Sequence, residues 1–139
     1  VVDGERVLGK PVNHQDALQM LRRLRGGSHR VLTGVAVVDA ASGRTVTASK
    51  ESRVKMRMYS DEELEAYVAS GKAWDKAGSY AIQGLGRLLV EQTTGCHNNV
   101  VGLPLCELAT LLVNFDVRLG NRSERLCMLP SGDQCPRTV

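Results

Sequence analysis

A chain of 139 residues with 42% hydrophobic and 24% charged residues has the length and apolar content to bury one core without help from disulfides or metals. No apolar run reaches the ~18–20 residues that a bilayer crossing requires, so a membrane-spanning helix is excluded. The formal net charge of +3 is that of an ordinary solvated surface and lends only weak support to an anionic partner.

The elements follow in chain order. Val1 and Val2 lead through the turn Asp3-Gly4 to Val7 and Leu8, which predicts a short hairpin. The sequence begins in a strand pattern without an initiator Met, so it is expected to start inside a domain; its first residues do not read as a secretory signal. Pro11 closes the hairpin, because a proline has no N–H to give a strand ladder. Asn13 is a good N-cap with Asp16 in the first turn, and Ala17, Leu18, Leu21 and Leu24 recur at helical spacing up to Gly26-Gly27.

Residues 31–38 are apolar on both faces and predict a central strand. Asp39 to Gly43 reads as a turn, Thr45 to Ala48 as a second strand, and Val54 to Tyr59 as a third, half-buried one. Ser60-Asp61-Glu62-Glu63 is a capping box, in which Ser and Glu side chains satisfy each other's free backbone donors. The helix that follows turns Leu64, Tyr67 and Val68 inward.

Residues 72–86 have no clean period and mix glycines with Trp74, Tyr80 and Ile82, which suits a loop tied to a core. Leu88-Leu89-Val90 and Val100-Val101 read as short strands. Pro104 suits the first turn of a last helix carrying Leu105, Leu108, Leu111 and Leu112. From residue 120 the pattern fails, and 120–139 reads as a disordered tail. Helices and strands alternate irregularly, so the class is α/β or α+β around a mixed sheet.

The residues able to carry chemistry gather around 75–86. Asp75 and Lys76 are adjacent opposite charges beside Ala77-Gly78, where a ligand can approach the backbone. Gln83 has an amide with a donor and an acceptor, the equipment for reading a base edge. A Gly-rich turn with a surface ion pair is the competing reading. Lys10, fixed between Gly9 and Pro11, can present an ammonium to a phosphate, or simply be solvated.

His29, four residues before Thr33-Gly34, can face a phosphate or cap the strand entry. Arg22, Arg23 and Arg25 sit where cations favour a helix C-terminus. Arg53, Lys55 and Arg57 share a strand face, either solvated or along a polyphosphate path. Few aromatics interleave with these charges, which argues against single-stranded nucleic acid as a partner. Cys96, Cys106, Cys127 and Cys135 have no C-x-x-C spacing, so free thiols in a reducing cytoplasm are expected, with Cys106 as packing.

Five short motifs occur in order: Leu8-Gly9-Lys10-Pro11; His29-Arg30-Val31-Leu32-Thr33-Gly34; Ser60-Asp61-Glu62-Glu63-Leu64 with Tyr67; Asp75-Lys76-Ala77-Gly78-Ser79-Tyr80-Ala81-Ile82-Gln83-Gly84; and Asn99-Val100-Val101-Gly102-Leu103-Pro104. Together they resemble the Maf family over about residues 1–119. The resemblance implies an α/β fold like that of the inosine-triphosphate pyrophosphatases, a mixed sheet flanked by helices, here truncated at its N-terminus.

It also implies hydrolysis of nucleoside triphosphates between the α and β phosphates, with a divalent cation, Mg²⁺ or Mn²⁺. Many family members are cytoplasmic and dimeric, so a homodimer is expected. Ile82-Gln83-Gly84 resembles the branch acting on dTTP and UTP. Gln83 would then select the base, Lys10, Lys76 and Thr33 would bind the substrate, and Lys10, Asp75 and Lys76 would support catalysis. The family's Ser- and Arg-rich phosphate loop and the Asp-Thr pair that supplies the general base have no counterpart in this sequence. The chain alone is therefore expected to be nearly inactive. The alternative is a non-catalytic nucleotide-binding protein or a cell-division regulator, since the family is also linked to inhibition of septum formation.

Overall fold

The chain enters by doubling back at Gly4, whose φ of 59° is a conformation glycine reaches without steric cost. Strands β1 (Val2–Asp3) and β2 (Arg6–Val7) pair antiparallel, Val2 opposite Val7. The hairpin read from the sequence is therefore present. In the computed structural model, which describes residues 1–120, the remaining elements are α1 (His14–Leu24), β3 (Ser28–Val38), β4 (Thr45–Met56), α2 (Asp61–Ala69), β5 (Val90–Gly95), α3 (His97–Val101) and α4 (Leu105–Val113). Two 3-10 turns, Ala77–Ser79 and Gly84–Leu89, lie between α2 and β5. The expected tail falls outside the described residues, apart from Gly120. No described helix is long and apolar enough to cross a membrane.

The α/β class holds, with one five-stranded sheet in the order β2-β1-β3-β4-β5. Its pairings run antiparallel where a mixed sheet was expected. β1 meets β3 antiparallel at Val2 and Arg30. Between β3 and β4, the Asp39 N–H bonds to the Arg44 carbonyl and the Met56 N–H to the Gly27 carbonyl, so numbers rise on one strand as they fall on the other. Arg57 opposite Leu89 and Ser52 beside Gly95 set the same sense for β4 and β5. A tight hairpin joins β3 to β4, and such a connection permits only antiparallel pairing.

The chain forms two compact units, one from Val1–Val31 and Arg53–Thr94, the other from Leu32–Ser52 and the chain from Gly95. In the first unit, α1 buries Ala17, Leu18, Leu21 and Leu24. Each large apolar side chain so buried contributes about 1.5–3 kcal/mol. The Asn13 side chain caps α1 by accepting from the Asp16 N–H at 2.9 Å. The capping box of α2 is complete: Ser60 Oγ accepts from the Glu63 N–H, and the Glu63 carboxylate accepts from the Ser60 N–H. Leu64, Tyr67 and Val68 are buried as expected.

Two predicted strands turn out to be one. β4 runs unbroken through Lys50 and Ser52, polar residues that take inward positions in its alternation. They can do so because partners are waiting. The Lys50 ammonium meets the Glu107 carboxylate at 2.7 Å, and Ser52 Oγ donates to the Cys96 carbonyl at 2.9 Å. Asn99 Nδ2 donates to Ser52 Oγ at 3.0 Å and to the Lys50 carbonyl at 3.3 Å.

Asn99 lies on α3, so Val100-Val101 are helical where a strand was expected. Gly102, with φ 141°, ends that helix. Residues 84–89, in part read as a strand, are a 3-10 turn, and β5 begins at Val90. Pro104 is the N-cap of α4. Cys96 is a buried free thiol with Leu105 and Cys106 packed against it. Cys106 is disulfide-bonded, which departs from the expectation of free thiols.

Candidate functional site

Residues 75–84 follow α2 as a segment whose ends are exposed and whose middle is buried. Gly78 and Ser79 both adopt positive φ, 72° and 65°. For Ser79 this left-handed backbone costs roughly 1–2 kcal/mol, so neighbouring contacts must hold it. Ser79 Oγ, fully buried, reaches Met20 Sδ of α1 at 3.2 Å. The Ala81 N–H donates to Tyr67 Oη of α2 at 3.2 Å. The Tyr80 hydroxyl and His29 Nε2 of β3 share a 2.7 Å hydrogen bond, with the two rings edge to face. Gly86 finishes the anchoring, because a Cβ there would strike the Ala81 carbonyl oxygen and sit 2.9 Å from Tyr67 Oη.

Around this anchored middle stand the charged and amide groups. Asp75 and Lys76 form an exposed ion pair of 2.6 Å. That bond, first, and the charges of Lys76 and Lys10 hold the Asp75 carboxyl below its ordinary range. Lys10 is brought to the same place by the backbone, since the Gly78 N–H donates to the Gly9 carbonyl at 3.0 Å. Gln83 is exposed. The first unit thus contains Lys10, Asp75, Lys76 and Gln83, of which Asp75 lies near both lysines. Thr33 is half-buried on β3 and belongs to the second unit.

His29 faces no solvent. It is 2% exposed and bonded to Tyr80, at the entry of β3, which does not suit a phosphate contact. Burial first, then the positive Val1 α-amino group, push its pKa down to about 4, with Asp3 opposing. Burial likewise raises the Tyr80 and Tyr67 hydroxyls above their ordinary value. The basic clusters are largely spent on structure. Arg22 and Arg25 pair with Asp61, and Arg23 with Asp3. Lys55 donates to the Gly26 carbonyl, and Arg57 to Glu63 and the Leu88 carbonyl.

A cavity of about 220 Å³ between α2 and the second 3-10 turn is lined by Glu63, Ala66, Tyr67, Leu85, Leu88 and Leu89, and none of the five expected site residues lines it. Sequence reasoning did not single out this apolar wall, although Leu85 and Leu88 in a Gly-rich loop were its signal.

Residues 1–115 match the family model described as Maf-like protein. The chain belongs to the Maf family. Maf relatives named dTTP/UTP pyrophosphatase are 50% identical over 119 residues in Dictyoglomus turgidum, covering 86% of this chain and 61% of the relative. One in Desulforamulus reducens is 43% identical, covering 86% and 62%. Another, in Gloeobacter violaceus, is 50% identical, also covering 86% and 62%. This Maf chain therefore spans about three fifths of the length of the curated relatives it matches.

Among the described residues no group of three His, Cys, Asp or Glu side chains could hold a metal ion. Asp75, the carboxylate of the anchored segment, is already engaged by Lys76. The described side chains do not by themselves form a cation cage.

Proposed function

We propose that this chain is part of a Maf-type nucleoside-triphosphate pyrophosphatase and forms the base-reading and phosphate-facing wall of its nucleotide cleft. One observation carries the reading: Lys10 and Gln83 stand exposed and Lys76 half-buried on backbone that is itself anchored, with the Gly78–Gly9 hydrogen bond joining the two segments. The names of the relatives support dTTP and UTP as the substrates.

In the proposed reaction water attacks the α-phosphorus, the bond to the α,β-bridging oxygen breaks, and the nucleoside monophosphate and pyrophosphate leave. Lys10 and Lys76 offset the charge of the triphosphate and of the departing pyrophosphate. Asp75 holds Lys76 in place. Gln83 pairs with the pyrimidine edge, accepting from N3–H and donating to a ring carbonyl. Thr33 is assigned a substrate contact on the resemblance alone. A divalent cation, Mg²⁺ or Mn²⁺, belongs to the same proposal as a companion of the triphosphate.

Water activation is assigned to none of this chain's residues. Asp3, the acid of β1, is held by Arg23 at 2.6 Å. Cytoplasmic location and a homodimer rest on the family resemblance.

The test is calorimetry with dTTP and UTP, alongside an assay of pyrophosphate release with Mg²⁺. Binding is expected with little or no hydrolysis, and Lys76→Ala and Gln83→Ala should each weaken binding about tenfold or more, the value of a charge-assisted or specific buried hydrogen bond. Absence of binding at millimolar nucleotide would refute the cleft. Vigorous hydrolysis would refute the assignment of the base outside these residues.

A further inference from the structure

We infer that the buried His29–Tyr80 hydrogen bond is a positioning device that fixes the Asp75–Gly84 segment on the sheet and so sets Lys76 and Gln83 for the nucleotide. The inference rests on the nucleotide-facing role proposed above and goes beyond it, because both residues are buried.

Gly78 and Ser79 are consecutive left-handed residues, a conformation that persists only where surrounding contacts over-determine it. Three side-chain contacts hold residues 79–81: Ser79 to Met20, Tyr80 to His29, and Ala81 to Tyr67. The first uses a thioether, a weak acceptor. The third is 3.2 Å long. The Tyr80–His29 bond is the shortest at 2.7 Å, both its side chains are buried, and it runs to a strand of the sheet.

His29 immediately precedes Arg30, where β3 meets Val2 of β1. β1 in turn pairs with β2, after which come Gly9 and Lys10. The bond therefore ties the segment bearing Lys76 and Gln83 to the same strands that place Lys10. His29 stays neutral at neutral pH, so the bond joins two uncharged groups, which suits its dry surroundings. Its Nδ1 has no hydrogen-bond partner among the described residues. Such a ring is held for its single bond to Tyr80 and its packing.

The experiment uses Tyr80→Phe, which keeps the ring and deletes the hydroxyl. Two readouts separate positioning from mere bulk. The first is the affinity of the chain for UTP and CTP by calorimetry. Tyr80→Phe should bind UTP about three- to tenfold more weakly, the value of one ordinary hydrogen bond, and should discriminate less against CTP, whose ring edge presents the opposite polarity. The second needs no nucleotide: amide hydrogen exchange at Gly78 and Ala81 should quicken in Tyr80→Phe while exchange in the middle of α1 does not.

Wild-type chain that binds neither nucleotide at millimolar concentration would sink the nucleotide role and this inference with it. Wild-type binding matched by Tyr80→Phe in affinity and discrimination, or unchanged exchange at Gly78 and Ala81, would sink the inference alone.

Discussion

At the scale of single residues, His29 is the clearest case of chemistry set by burial. A histidine near a strand entry reads from sequence as a candidate phosphate contact, but the folded chain places it inside, 2% exposed. Desolvation disfavours its charged form and lowers the pKa from 6.5 to about 4. The unfolded chain therefore binds a proton between those values and the folded chain does not. Stability rises with pH across that window and falls as the solution is acidified from pH 6.5 towards 4, by about 3 kcal/mol from this group. Urea unfolding at several pH values should give a shallower acid slope for His29→Asn than for the wild type; equal slopes would mean that the ring is hydrated. The residues proposed for the site drew notice because they are chemically distinctive: Lys10 adjoins Gly9, Gln83 adjoins Gly84, and the Asp75-Lys76 pair lies close before Gly78. The role of His29 was not legible, since nothing local in the sequence says which side of a two-faced strand is dry.

At the scale of elements, local signals succeeded where one side chain decides the outcome. Both N-caps, Asn13 and Ser60, make the hydrogen bonds that their positions imply. Ser60→Ala should cost about 1 kcal/mol, read as a lowered thermal midpoint, because it strips one half of a reciprocal cap. Ser60→Asp should keep most of that stability. Gly86→Ala is the stronger test of the loop. Its Cβ would run into the Ala81 carbonyl oxygen, and overpacking of this kind costs roughly 1–3 kcal/mol. The same substitution at Gly4 meets open space, so only its positive φ of 59° is penalised. Local signals failed where a distant partner decides. Lys50 and Ser52 look like the end of a strand, yet Glu107, Cys96 and Asn99 supply what their buried atoms need and the strand continues. Val100-Val101 favour a strand by propensity, but the side chain of Asn99 on the same turn is bonded to β4, and tertiary contact overrides that preference.

At the scale of the whole molecule, the two compact units are held by different means. The unit that carries Lys10, Lys76 and Gln83 rests on an apolar core, with Leu21, Leu24, Met56, Leu64 and Val68 almost wholly buried. The other unit holds a buried ion pair of Lys50 and Glu107, whose side chains are 5% and 12% exposed. Removing charges from water is expensive, and mutual attraction only partly offsets the cost. Such a pair is a poor source of net stability but a dangerous one to break. Glu107→Ala leaves a buried ammonium and should lower unfolding stability by about 3–5 kcal/mol. Replacing both partners, Lys50→Met with Glu107→Leu, removes the charges together and should restore most of that loss. By contrast Asp75→Ala, which breaks an exposed pair of similar length, should leave stability nearly unchanged. Chemical denaturation of the three variants decides the point. A Glu107→Ala loss as small as that of Asp75→Ala would show the inner pair to be solvated. A double variant no better than the single one would show that the loss does not come from the stranded charge. Either way Asn99, in the last of the five family motifs, sits in this inner network beside Ser52 and reads as structural.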